Sequence, residues 1–117
     1  MAAPNIVNVS TINGSTDVQV VSTTLTAITT NATSSGKVYK VNSLYVSNVD
    51  GVNDAAITAT LTRGSTNYAI VNTVTVPADS TIMVISNPFY MEEGDIIKLQ
   101  SSASSSLEAV CSYEDIS

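Results

Sequence analysis

The sequence predicts an all-β chain folded as an antiparallel β-sandwich, jelly-roll-like and of seven to eight strands, on three observations. Val, Ile and Thr make up 40 of the 117 residues, and β-branched side chains fit a pleated sheet while losing χ1 freedom in a helix. No segment longer than about ten residues keeps apolar positions at the 3.6-residue helical period, and runs of Ala, Leu, Glu, Lys and Gln are missing. Turn-forming Gly, Pro, Asn, Asp and Ser recur about every twelve residues, the rhythm of hairpins in a two-sheet sandwich or small barrel.

The elements follow in chain order. Residues 1–16 are polar and punctuated by Pro4 and Asn13-Gly14. They read as an N-terminal arm with a short strand at Ile6 to Val9 and a turn at Asn13-Gly14, placed along the domain edge or into a neighbour. Residues 17–117 form the sandwich. From Asp17 to Thr30 the apolar positions Val18, Val20 and Val21 fall out of phase with Leu25, Ala27 and Ile28, so a bend near Ser22 to Thr24 gives one broken strand or two short ones. Lys37 to Val49 is a strong strand whose parity slips. Tyr39 and Val41 share one face, Leu44 and Val46 the other, and a one-residue bulge at Asn42-Ser43 turns all four inward; covering of both faces is the alternative.

Beyond the turn at Asp50 to Asp54, Ile57, Ala59 and Leu61 alternate with Thr58, Thr60 and Thr62, giving one apolar and one hydroxylated face. The Thr face is a candidate contact surface. Arg63-Gly64-Ser65-Thr66 reads as a hairpin connection, Asn67 to Val76 as a strand, Pro77 to Ser80 as a turn, and Thr81 to Ile85 as a strand stopped by Asn87-Pro88. Phe89-Tyr90-Met91 is a short apolar patch before the acidic turn Glu92-Glu93-Gly94-Asp95. Strands at Ile96 to Gln100 and from Leu107 to Tyr113 close the chain.

Charge narrows the function classes. Four basic residues stand against ten acidic ones, for a net charge of -6, so nucleic acid, which needs clustered cations, is an unexpected partner. Charged residues are 12% of the chain, about half the usual share. A surface of small hydroxylated side chains loses little entropy when covered, which favours assembly. Met1 to Ile12 has neither a basic region nor an apolar run of signal-peptide length, and no 18-residue apolar stretch occurs. A soluble product with no membrane partner is expected, and the Asn-Xaa-Ser/Thr triplets at Asn8, Asn13 and Asn31 are then chance matches.

The chemistry of sites is sparse. The chain has no His and one Cys, which removes the usual Ser-His and Cys-His nucleophiles and zinc sites built on His or several thiolates. Cys111, beside Val110, reads as a small core hydrophobe. Glu92, Glu93 and Asp95 cluster on one turn, and Asp50 and Asp54 flank another, but neither spacing is that of a calcium loop or of two carboxylates facing across a sugar. The five glycines never gather into a phosphate cradle. Tyr39, Tyr45, Tyr68, Tyr90 and Tyr113 are scattered over four strands and a loop, as core rims or subunit contacts; a stacking platform for sugars is the other use of such residues. No catalytic, cofactor-binding or metal-ligating residue is assigned, and no enzyme is expected.

The phrases Val38-Tyr-Lys-Val-Asn-Ser-Leu-Tyr-Val-Ser-Asn-Val-Asp50, Thr75-Val-Pro-Ala-Asp79, Tyr90-Met-Glu-Glu-Gly-Asp95 and Ser112-Tyr-Glu-Asp-Ile116 resemble small β-sandwich structural proteins of tailed bacteriophages of marine bacteria and cyanobacteria. The resemblance spans about two thirds of the chain and carries scaffold and turn motifs. It implies a place in the virion: a capsid decoration or cement protein bridging neighbouring subunits, or a neck or tail component. The implied partners are the major capsid protein or other virion proteins and further copies of the chain, a homo-oligomer such as a trimer. Residues 1–36 fall outside the resemblance; on physical grounds the arm is expected to donate a strand whose backbone amides complete a neighbour's edge. A carbohydrate- or receptor-binding module of a tail or fibre is the alternative.

Overall fold

The structure is a computed structural model and describes residues 7–117. Among them no residue is helical, and nine strands form two packed antiparallel sheets: β1 (Ile12–Val20), β2 (Thr26–Thr30), β3 (Val38–Asn48), β4 (Ala55–Arg63), β5 (Thr66–Val76), β6 (Thr81–Ile85), β7 (Phe89–Met91), β8 (Ile96–Ser101) and β9 (Leu107–Ile116). The β-sandwich expected from composition is the observed architecture. Sheet A runs β1-β9-β3-β6, with β7 also paired to β3, and sheet B runs β2-β8-β4-β5. The chain is a long ribbon folded on itself: β1 pairs with β9, β2 with β8, β3 with β6 and β7, and β4 with β5.

Two sheets with alternating strands bury one face each. Leu44, Val46, Ile57, Ala59, Val76, Ile97, Leu99, Leu107, Ala109 and Cys111 fill the space between them. The parity slip in β3 is resolved by the bulge. The register with β9 shifts between Val41 and Ser43, and Val41, Leu44 and Val46 are all completely buried, with Tyr39 packed against them. The bend after Val20 also forms: β1 and β2 are separate strands, and the Ser22 hydroxyl donates to Thr24 O across the corner.

Three expectations are corrected. Asn13-Gly14 is not a turn, since both residues lie within β1 opposite Asp115 and Glu114. The boundary at residue 16 therefore cuts through a strand, and Ile12 to Thr16 belong to sheet A. Of the strand expected at Ile6 to Val9, Ile6 lies outside the described residues and Val7 to Val9 belong to no strand. Phe89 to Met91, read as a patch, is a strand because it pairs with Tyr39 to Val41.

Two buried asparagines clamp the loops. Asn31, fully buried, donates through Nδ2 to Lys37 O and Met91 O and accepts from the Ser35 hydroxyl. Asn48 donates to Asn53 O and Val76 O and accepts from the Asp50 amide. Buried amides of this kind persist only where several of their groups are satisfied.

Candidate functional site

The outer face of sheet A carries an apolar row that crosses the whole sheet. Val18 stands opposite Val110, Val110 opposite Tyr45, and Tyr45 opposite Met83, so one side chain from each of β1, β9, β3 and β6 lines up. Their exposures are 72% for Val18, 36% for Val110, 38% for Tyr45 and 50% for Met83. Single exposed apolar residues are ordinary, but a contiguous row is an interaction signal. Its flanks are mostly polar: Glu108, Ser47 and Thr81 lie one step along the strands beyond the row, with exposed Val20 at their β1 end, and Thr16, Ser112 and Ser43 lie one step before it. An apolar centre with a hydroxylated rim is the anatomy of a protein interface.

The orientation of β1 creates one end of this row. Its even residues Ile12, Val18 and Val20 are exposed, while Ser15, Asp17 and Gln19 are half-buried. The polar set points inward because β2 supplies its partners. The Thr29 hydroxyl donates to Asp17 Oδ2 at 2.9 Å, Gln19 Nε2 donates to Ala27 O at 2.8 Å, and Tyr113 OH reaches Asp17 Oδ1 at 3.4 Å. Gln19 Oε1 is buried without a hydrogen-bond partner among the described residues. Because side chains alternate across a strand, turning Asp17 and Gln19 inward turns the valines outward.

Beneath that contact, Tyr113 stacks on Tyr39 with ring centroids 4.8 Å apart. Burial, aided by the Asp17 charge, pushes the Tyr113 phenol up to about 12, and burial raises Tyr39 as well. Lys37 bridges to Asp115 at 3.1 Å, which raises the ammonium pKa through that hydrogen bond. These two rings are interior packing. Tyr45, Tyr68 and Tyr90 remain exposed on β3, β5 and β7. Tyr90 faces Lys40, five residues along β3 from Tyr45, a separation of roughly 17 Å at the strand rise. The tyrosines thus make no common platform.

The acidic residues are absorbed by loop structure. Arg63 donates Nε to Asp95 Oδ1 at 2.9 Å and Nη2 to Oδ2 at 2.6 Å, and Glu92 joins Arg63 at 3.0 Å. Asp95 is 1% exposed and also takes the Glu92 amide. The pair holds the guanidinium even more firmly protonated than usual. Glu93 accepts from the Gly36 amide, and Gly94 turns at φ 88°. Asp50 caps its own loop through the Val52 and Asn53 amides, which hold its carboxyl below the usual range. Among the described residues no three His, Cys, Asp or Glu side chains form a metal-binding group. Cys111 is fully buried in the core, and desolvation raises its thiol pKa.

The Thr face of β4 is not the free surface anticipated. Thr60 and Thr62 are 7% and 5% exposed. The Thr62 hydroxyl donates to Asn67 Oδ1, and the Thr58 hydroxyl accepts the Thr73 amide at 3.0 Å, so two of the three serve the pairing of β4 with β5. The row that is exposed was visible in the sequence only as isolated residues, since cross-strand register joins positions 18, 110, 45 and 83. Compared with protein-family models and with curated proteins, the chain matches none, and the surface is therefore read from its own chemistry.

Proposed function

We propose that the chain is a structural protein of a virus particle, a capsid decoration or cement protein that bridges neighbouring subunits and performs no catalysis. The observation that carries this reading is the row Val18, Val110, Tyr45 and Met83 with its Ser/Thr rim. Such a surface gains by leaving water and has few charges to desolvate. The jelly-roll reading of the sandwich is supported by the folded-ribbon pairing of β1 with β9, β2 with β8, β3 with β6 and β7, and β4 with β5; double-sheet folds of this type serve in viral capsids, among other uses. A sugar-binding role draws less support, because Tyr39 and Tyr113 stack on each other and the exposed tyrosines stand apart.

The test is protein mass spectrometry on purified particles of the virus encoding the chain. The expected result is stoichiometric presence, lost when Val110→Lys and Tyr45→Lys are introduced into the encoded chain. Absence of the unaltered protein from the particles refutes the proposal.

A further inference from the structure

Each sheet has two edges, and three of the four are built to stop further pairing. The β2 edge is five residues long and slips between Ala27 and Thr29. The β5 edge slips twice, at Ile70 and at Asn72-Thr73, where Thr73 takes φ 52° and turns its amide onto Thr58 Oγ1. The β6/β7 edge is interrupted by Ser86-Asn87-Pro88, and proline has no amide to offer. The remaining edge, β1, pairs with β9 in unbroken register from Ile12 to Val20, without proline and with Asp17 as its one charged residue.

The hydrogen-bond phase of β1 can be read from its ends. Thr11 N donates to Ser117 O and Ser117 N to Thr11 O, both at 2.9 Å, and Val21 N donates to Leu107 O at 2.8 Å. Doubly bonded pairs recur every second residue in an antiparallel ladder. Asn13, Ser15, Asp17 and Gln19 therefore turn their main-chain groups toward β9. Ile12, Gly14, Thr16, Val18 and Val20 turn theirs toward the open edge.

We infer that β1 pairs antiparallel with β1 of a second copy, about a two-fold axis through Thr16, so that two A sheets become one continuous sheet. A two-fold axis normal to the sheet keeps the outer faces on one side, so paired residues share parity and the axis passes through a residue. Thr16 is the midpoint of Ile12–Val20, which makes the whole strand pair with itself. Ile12 then stands opposite Val20 of the second copy, Gly14 opposite Val18, and Thr16 opposite Thr16. These are the residues whose amides and carbonyls face away from β9 and have no partner among the described residues, so each pair exchanges both bonds.

The side chains fit the same register. On the outer face, exposed Ile12 and Val20 cover each other, at 55% and 58% exposure when unpaired. Gly14 has nothing within 4 Å of where a Cβ would stand, leaving room for the opposing Val18. On the inner face Asp17 meets the Ser15 hydroxyl of the second copy. Moving the axis to Asp17 sets two carboxylates directly opposite, an unfavourable pair. The apolar row of one outer face then continues toward that of the other copy. This pairing rests on the reading of the chain as an assembly module, and it adds the partner and the register.

The experiment uses the full chain in solution, free of any particle. Sedimentation equilibrium is expected to give twice the 12.2 kDa chain mass. Oxidised Thr16→Cys is expected to form a disulfide-linked dimer, because doubly bonded pairs place Cα atoms about 5.5 Å apart, within disulfide reach. Gly14→Cys alone stays unlinked and Gly14→Cys with Val18→Cys links, which reads the register. Thr16→Pro, whose missing amide faces the open edge, returns the mass to that of one chain. A monomer at every concentration, a trimer, or a dimer that Thr16→Cys does not lock overturns the proposal; if Thr16→Pro fails to fold, the cross-links decide alone. A locked dimer missing from virions removes the virion reading and leaves the pairing, and a virion-borne monomer does the reverse.

Discussion

Asn31→Ala tests how the loops that frame the sandwich are held. The Asn31 side chain is fully buried and makes three hydrogen bonds: to Lys37 O at 3.0 Å, to Met91 O at 3.1 Å and from the Ser35 hydroxyl at 2.6 Å. Truncation leaves two carbonyls and a hydroxyl without that partner. A buried orphan costs about 1–3 kcal/mol and a partly hydrated one less, so the expected loss is about 2–4 kcal/mol. A domain of this size has about 5–15 kcal/mol in total. With a urea slope of roughly 1–2 kcal/mol/M, the unfolding midpoint followed by far-ultraviolet circular dichroism drops by about 1–4 M. Asn31→Asp sharpens the test. Its carboxylate faces two carbonyls in a buried site, so its folded pKa must lie above the unfolded value near 4. The variant is then least impaired below about pH 4, and its deficit grows as pH rises from there toward the folded pKa. An Asn31→Ala loss under about 0.5 kcal/mol, the size of an ordinary surface change, together with a pH-independent Asn31→Asp deficit, refutes the clamp.

Three further outcomes follow from the same geometry. Tyr113 and Tyr39 have raised phenol pKa values, Tyr113 at about 12; their contribution is complete below about pH 10, where the unfolded phenols begin to ionise, and is lost as pH climbs through 12. Urea midpoints at pH 9 and 11 check this, and Tyr113→Phe flattens the alkaline fall. Cys111 resists thiol reagents in the native protein and reacts on unfolding, because it is buried and its thiolate is disfavoured; rapid native labelling contradicts the core placement. Gly94→Ala loses about 1–2 kcal/mol in urea melts, since φ 88° penalises any Cβ while the nearest atom, Thr33 Oγ1, lies 3.7 Å away and leaves space; a neutral effect shows that the acidic turn relaxes freely.

Assembly and stability make opposite demands on β1. Its inward polar residues cost core area, yet they tie the edge of sheet A to β2 through Asp17–Thr29 and Gln19–Ala27. The apolar residues are thereby placed outside. Valines facing inward and a charged residue on the edge would better suit an isolated chain, which is why the arrangement supports the assembly proposed above.

The sequence by itself determined the fold class, because β-branched content and turn rhythm are local properties that every strand repeats. It also marked the parity slip in β3, where Val41 and Leu44 sit three apart, but left a bulge and two covered faces as alternatives; the register with β9 decided for the bulge. The tertiary structure decided everything that depends on which strands become neighbours. Asn31 and Met91 are 60 residues apart, Asn48 and Val76 are 28 apart, and nothing local marks either asparagine as a clamp. The Thr face of β4 reads as exposed until β5 and β8 flank it, and Asn13-Gly14 reads as a turn until β9 pairs with it. Whether Val18 and Val20 point in or out is a single two-state choice for β1, and hydropathy favours inward. The structure takes the outward choice, and in it Asp17 is met by the Thr29 and Tyr113 hydroxyls and Gln19 donates to Ala27 O, contacts that only the pairing of β1 with β9 and its approach to β2 supply.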